Sequence, residues 1–312
     1  MQVTSRPVID LVGCRWGSHW WLCQGQLAPG CQKYSAPAVV ARVNVWIRNR
    51  RSRQPHHERR DAAKENSLDE QTVTEWSFRA QADSRDVPGT LWLPTAGSGP
   101  VPLVLIGHGG SQHKGSAGPR ELAELLVRDH GFAAAAIDGP VHGERRPDGG
   151  SDPAAVFADH RADIEQPGSL ATMAADWQAA LDLLQEMSDW TVGPVGYWGL
   201  SMGTLYGLPF LAREDRVQAA VLGLWGSAGT APDTWAGLAS AASAVRCPLL
   251  FLAQMEDQLF APAGVLELFT GLASRDKRMH INVGTHGEVP ADEHAVAIRF
   301  LVDRLRQSLA AV

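Results

Sequence analysis

Residues 195–203 read Val-Gly-Tyr-Trp-Gly-Leu-Ser-Met-Gly, and Thr-Leu-Tyr-Gly-Leu-Pro-Phe-Leu follows at 204–211. The first four residues have the apolar character of a buried strand, and 204–211 reads as a helical stretch. A G-x-S-x-G pattern between a strand and a helix predicts a tight turn that holds the hydroxyl of Ser201 clear of the backbone. Gly199 and Gly203 fit that turn for a steric reason, since side chains flanking the serine would collide with neighbouring backbone. The five-residue pattern is short enough to recur by chance, so its surroundings decide its meaning.

Those surroundings alternate strand and helix. Residues 101–106 form a continuous apolar run, as a strand covered on both faces requires. Pro119 suits the first turn of a helix reaching about residue 129, with Leu122, Leu125 and Leu126 on one side. Residues 132–137 are the next strand. A polar connection punctuated by Gly and Pro spans 138–168, long enough to shape a site. Ser169 is placed to cap a helix that carries Leu170, Met173, Ala174, Trp177, Leu181 and Leu184 at helical spacing. Beyond the elbow, strands are expected at 219–224, 248–253 and 279–283, with a small Ala/Gly/Trp-rich insertion after the first and a helix over 262–273. A last helix, 291–309, is expected to bury Val296, Phe300, Leu301 and Leu305. Upstream, 73–80 and 87–93 alternate about a turn at 83–86 and predict two antiparallel strands. The expected fold is α/β: a mostly parallel, doubly covered sheet of about eight strands whose first strands are antiparallel.

The 312 residues divide into two regions of opposite charge. Residues 1–66 carry 11 Lys+Arg against 4 Asp+Glu, and the rest carries 17 against 30. An acidic body argues against nucleic-acid binding by the main domain. The basic run 48–60 lacks apolar periodicity and interleaved aromatics, so residues 1–66 read as a basic, disordered extension with a short strand at 38–47 as its one structured segment. Residues 67–312 read as the catalytic domain. No apolar run approaches the ~18 residues of a membrane span. The opening residues lack a basic region followed by an apolar core, which predicts no secretory signal and a cytoplasmic protein. Cys14, Cys23, Cys31 and Cys247 form no CxxC pair and are expected as free thiols, with a disulfide among the first three left open. Nothing in the sequence reports oligomeric state.

A serine hydroxyl needs an adjacent base, usually a histidine oriented by a carboxylate. Asp257 falls just after the strand 248–253 and His286 just after 279–283, both in loops where ligands collect at the ends of parallel strands. The adjacent Glu256 is the alternative acid. Its spacing from the strand and the Ala261-Pro262 that follows favour Asp257. His280 lies inside a strand and His294 inside a helix, so both are assigned structural roles. A developing oxyanion needs two backbone donors. The amide of Met202, next to the serine, is one candidate. The loop Gly107-His108-Gly109-Gly110-Ser111 offers the other, with Gly110 preferred and Ser111 beside it as a substrate contact. His108 reads as a structural hydrogen-bonder. Trp225 and Trp235 are candidates for an apolar acyl pocket, and Arg145, Arg146 and Arg161 are available to an anionic substrate.

Taken together, His108-Gly109-Gly110, the stretch Asp138-Gly139-Pro140-Val141-His142-Gly143-Glu144-Arg145, Gly199-Leu200-Ser201-Met202-Gly203, Asp257 and Thr285-His286-Gly287 resemble an α/β-hydrolase over about residues 70–310. The chain is most similar to the dienelactone-hydrolase-like and esterase branch. The dienelactone hydrolases proper use a cysteine nucleophile, and here the position is Ser201. The resemblance therefore implies hydrolysis of small to medium carboxylic esters, a small-molecule substrate and no cofactor or metal. A peptidase or amidase on the same three residues is the rival activity. A non-catalytic binding protein of the same fold is the rival class, and such a protein would need none of Ser201, Asp257 and His286.

Overall fold

The computed structural model describes residues 11–16, 19–24, 73–95, 99–187 and 190–311. Two antiparallel strands, β1 (Leu11–Trp16) and β2 (His19–Gln24), pair from Leu11 opposite Gln24 to Trp16 opposite His19. No strand was expected there, although a two-residue Gly-Ser connection between Val- and Trp-containing runs is a hairpin signal. The strand read at 38–47, the basic run 48–60 and Cys31 lie outside the described residues.

From Val73 onward the chain forms an eight-stranded sheet in the order β10-β9-β8-β7-β5-β6-β4-β3. It opens with β3 (Val73–Ala82) and β4 (Arg85–Pro94), which pair antiparallel around a two-residue turn where Asp83 takes φ 54°. The turn is tighter than the four residues expected. Strand β4 is also antiparallel to β6 (Ala133–Ile137), whereas β5 (Pro100–Gly107), β6, β7 (Thr191–Leu200), β8 (Val217–Gly223), β9 (Leu249–Gln254) and β10 (Lys277–Asn282) are mutually parallel. The expected sheet is the one observed.

Alternation along β5 divides the core. Leu103 and Leu105 join the layer that includes Met173, Trp177, Leu205, Phe210 and Phe251. Val104 and Ile106 face Leu126, Val127, Leu301 and Leu305 on the other side. Helices α3 (Ser169–Glu186) and α4 (Met202–Leu211) cover the first face, and α1 (Ala117–His130) and α7 (Ala291–Ala310) cover the second. Helices α5 (Pro232–Ala242) and α6 (Pro262–Gly271) complete the first layer.

Three local expectations change. Gly168, at φ 87°, is the N-cap of α3, while Ser169 turns its hydroxyl to Asp163 at 2.8 Å. In α7 the buried stripe runs through Ala297, Ile298, Leu301, Val302 and Leu305, which turns Val296 outward. The connection 138–168 contains a 3-10 turn at Gly143–Arg145 and a helix, α2 (Pro153–Ile164), capped by the Asp152 carboxylate on the Ala155 amide. Only Val156 and His160 of α2 are buried, so its apolar periodicity is too sparse to read as a helix.

Candidate active site

The elbow is built by two close backbone approaches. A Cβ on Gly203 would lie 2.6 Å from the Gly107 carbonyl oxygen, and one on Gly199 would lie 2.5 Å from that of Gly203. Glycine at both positions lets α4 start directly against the ends of β5 and β7. Ser201 occupies the left-handed region at φ 57°, ψ −119°, a conformation that costs a non-glycine residue of order 1–3 kcal/mol and persists only where the surroundings enforce it. Here the Ser201 amide donates to Gly223 O at 3.0 Å, and the buried Thr204 hydroxyl sits 2.8 Å from Gly199 O and 2.6 Å from Gly223 O.

Parallel order brings the other two residues to the same sheet end. His286, in the loop between β10 and α7, lies with Nε2 2.8 Å from Ser201 Oγ and Nδ1 2.8 Å from Asp257 Oδ2. The Asp257 side chain is almost wholly buried, and its other oxygen accepts from the amides of Leu259 and Phe260 at 2.8 and 3.0 Å. Those amides leave one carboxylate oxygen for the histidine and fix its direction. Glu256 is exposed, and it is Asp257 whose carboxylate reaches the histidine. The His286 amide donates to Gln258 Oε1 at 3.1 Å, tying the histidine loop to the aspartate loop.

The amide of Met202 opens α4 and is among the first N–H groups of that helix, which have no intrahelical acceptor. Gly110 lies at the tip of a turn closed by Gln112, whose amide donates to Gly109 O at 3.2 Å and whose side chain accepts from Gly109 N at 3.1 Å. Gly110, Ser201 and His286 line one cavity of about 620 Å³. Ser111, exposed and at φ 60°, stands beside Gly110 outside that lining.

Neither Trp225 nor Trp235 lines this cavity. Trp225 is buried against Phe260, with ring centroids 4.4 Å apart, and Phe260 in turn backs His286 at 5.8 Å. Trp235 lies on α5, half-buried against the core. Arg145 and Arg146 are not available to a substrate. Arg145 donates to buried Asp176 at 2.7 Å, and Arg146 is clamped by Asp148 and Asp159, both at 2.9 Å. Arg161 is exposed on α2.

His108 is the structural hydrogen-bonder expected. Its Nε2 accepts from Gly139 N at 2.9 Å, and Nδ1 lies 2.9 Å from Gly109 O, which assigns the proton to Nδ1. Burial, with the neighbouring His142 ring adding to it, pushes its pKa down to about 3. The rings of His108, His142, His160 and Tyr206 follow one another at 5.1, 5.4 and 5.8 Å, a buried file from the glycine loop past α2 to α4. A second support escaped sequence reading. Buried Asp138 accepts from Lys114 Nζ at 2.7 Å, from Lys114 N at 2.9 Å and from Glu144 N at 2.9 Å, joining the loops after β5 and β6. Gly143, at φ 51°, is required because a Cβ there would meet the Asp138 carboxylate at 2.5 Å. Those partners lie 24 residues apart, beyond any local signal.

A serine on a strained strand–helix turn, a histidine and a buried aspartate in loops after later parallel strands, and a glycine loop beside them define the α/β-hydrolase arrangement. No protein-family model and no curated protein matches the chain. Among solved structures it is similar to a cold-adapted esterase from an Arctic intertidal metagenomic library, with 38% identity over 78% of this chain and 100% of that one, at a TM-score of 0.64. A dienelactone hydrolase from Anabaena variabilis (23% identity, 76% and 99% covered, TM-score 0.55) and an acetyl xylan esterase from Paenibacillus sp. R4 (19%, 78% and 87%, 0.59) share the fold. The chain has the α/β-hydrolase fold, belongs to the family of that 38%-identical esterase, and is a carboxylic ester hydrolase. Among the described residues, no helix is long and apolar enough to cross a membrane.

Proposed function

We propose that the protein is a serine esterase for carboxylic esters of small to medium acyl chain, acting through an acyl-enzyme on Ser201. His286 Nε2 takes the Ser201 proton as Oγ attacks the ester carbonyl. The oxyanion is held by the amides of Met202 and Gly110. The histidine then passes its proton to the departing alkoxide as the C–O bond breaks. A water molecule, deprotonated by the same ring, cleaves the acyl-enzyme, releases the acid and returns the proton to Ser201. Asp257 keeps the ring in the tautomer that presents Nε2 to the serine. The observation that carries the reading is the pair of 2.8 Å contacts of His286, backed by a carboxylate whose second oxygen is held by two amides.

The reading extends to a cytoplasmic enzyme of a small-molecule substrate, with residues 67–312 as the catalytic unit and 1–66 as an extension. Every residue named in the mechanism lies within 110–286, and 78% of the chain spans the whole length of the 38%-identical esterase, which supports that division. The test is hydrolysis of p-nitrophenyl esters from acetate to laurate, with Ser201→Ala beside wild type and labelling by a fluorophosphonate. Serine-dependent turnover is expected to peak at short or medium chains. Labelling without turnover would point to another acyl substrate, and the absence of both would overturn the mechanism.

A further inference from the structure

The cavity at Ser201 and His286 is a slot that continues between α1 and α7, on one face of the sheet. Leu122 and Leu125 of α1 form one wall, and Ile298 with His294 of α7 forms the other. Trp198 and Leu200, from the end of the strand that carries Ser201, supply the base. The Trp198 indole stacks on the His294 imidazole, with centroids 5.9 Å apart and planes 24° apart. Leu122, Leu125 and Leu200 are only partly buried although they belong to the apolar layer, which leaves surface for an occupant.

Charge narrows the occupant. Among the described residues, no lysine or arginine lines the slot, whereas Glu121 does. Partial burial holds the His294 pKa below its ordinary value, so at neutral pH its ring is uncharged. Arg145 and Arg146 are held in ion pairs with Asp176, and with Asp148 and Asp159. Among the described residues, no cation lines the slot to compensate a negatively charged arm, and its walls reward an apolar one.

We propose that this slot between α1 and α7 binds the acyl arm of the ester, and that it selects an uncharged aliphatic chain over a charged one. The assignment rests on the esterase reading above. The acyl arm is the part of the substrate that stays bound through both halves of the reaction, whereas the alcohol must leave and water must enter. An apolar slot suits the arm that stays.

The test measures kcat/KM for p-nitrophenyl acetate, butyrate, hexanoate and octanoate, and separately for ethyl to hexyl acetates, in wild type, Leu125→Trp and Leu125→Ala. Each methylene that enters the slot should raise kcat/KM about 3- to 4-fold, equivalent to about 0.8 kcal/mol, or on the order of 10²-fold from acetate to hexanoate. Leu125→Trp fills the slot and should cut the hexanoate-to-acetate ratio by about 10-fold or more. Leu125→Ala should move the optimum to longer acyl chains. A half-ester bearing a terminal carboxylate at hexanoyl length should lose the gain. Leu125 is only partly buried, so both variants should fold, and fluorophosphonate labelling with a thermal melt checks that they do. Ester turnover with unchanged acyl ratios in both variants would overturn the slot while leaving the esterase reading intact. A shift confined to the alcohol series would place the leaving group there and overturn the acyl assignment. No ester turnover in wild type would remove the esterase reading, and the slot assignment with it.

Discussion

Two regions of the chain meet at α4, and they are held by different physics. The elbow, 195–211, is specified by exclusion: Gly199 and Gly203 are there because backbone passes within 2.6 Å of where a Cβ would sit. The connection 138–168 is specified by pairing. It relies on Asp138 with Lys114, Arg145 with Asp176, and the file of buried rings ending at His160 and Tyr206. Steric exclusion leaves a signature at fixed spacing in the sequence. A charge pair formed across many residues leaves none, and this contrast predicts different kinds of failure in the two regions.

The largest effect belongs to the elbow and should be purely chemical. Ser201→Ala removes the nucleophile and the strain of a non-glycine residue keeps a similar backbone, so turnover should fall by on the order of 10⁴–10⁶ while the melting temperature changes little. Wild-type turnover in that variant would end the proposed mechanism. The matching perturbation of the second region should act on stability first. Lys114→Met leaves Asp138 buried without its ammonium partner, at a cost of about 3–5 kcal/mol to folding. Urea unfolding of the two variants side by side sharpens the contrast: the connection is a structural brace only if Lys114→Met shifts the midpoint and Ser201→Ala does not.

That contrast also explains what could be read beforehand. The eight-stranded sheet, its antiparallel opening and the meeting of Ser201, His286 and Asp257 at one sheet end were legible, because apolar runs and loop positions after strands are local features. Trp225 was misread because an aromatic just past a strand does not reveal which side it packs on, and here it lies under Phe260. Arg145 looked available because its partner Asp176 lies 31 residues away on α3. Helix α2 escaped because one valine and one histidine are all it buries. Its Asp152-Pro153 start was the one signal that could have found it.

The ring file makes a further difference between the regions, visible in acid. Burial pushes His160 down to about 4 and His108 to about 3, against an ordinary value of 6.5. The unfolded chain therefore takes up these protons first as pH falls. The stability at issue is complete above about pH 6.5 and is lost as pH drops towards 4. For His160 alone the displacement from 6.5 to about 4 corresponds to about 3 kcal/mol. His160→Phe keeps a ring between His142 and Tyr206 but cannot be protonated. Its unfolding free energy should fall less steeply than wild type between pH 6.5 and 4. Parallel pH profiles for the two proteins would show that the file does not set acid stability.

The smallest expected effect concerns residues 1–66. Their charge balance of +7 faces one of −13 in the rest of the chain, and opposite charge of that size would bring an extension onto the body if the extension contributed to the site. The division proposed here has the triad, the oxyanion donors and the acyl slot all supplied from residues 106–298. Deleting 1–66 should then leave kcat/KM on a short ester within about twofold and the melting temperature within a few degrees, the range of a change that removes no buried contact. Running the comparison at low and at 0.5 M salt separates two explanations of any deficit, because long-range attraction between exposed charges is screened at the higher ionic strength. A deficit present at low salt and equal to wild type at high salt would mean that the basic extension steers substrate or restrains the body electrostatically. A loss of tenfold or more at both salts would mean that part of the catalytic unit lies upstream of residue 67, and the boundary between the two regions would have to move.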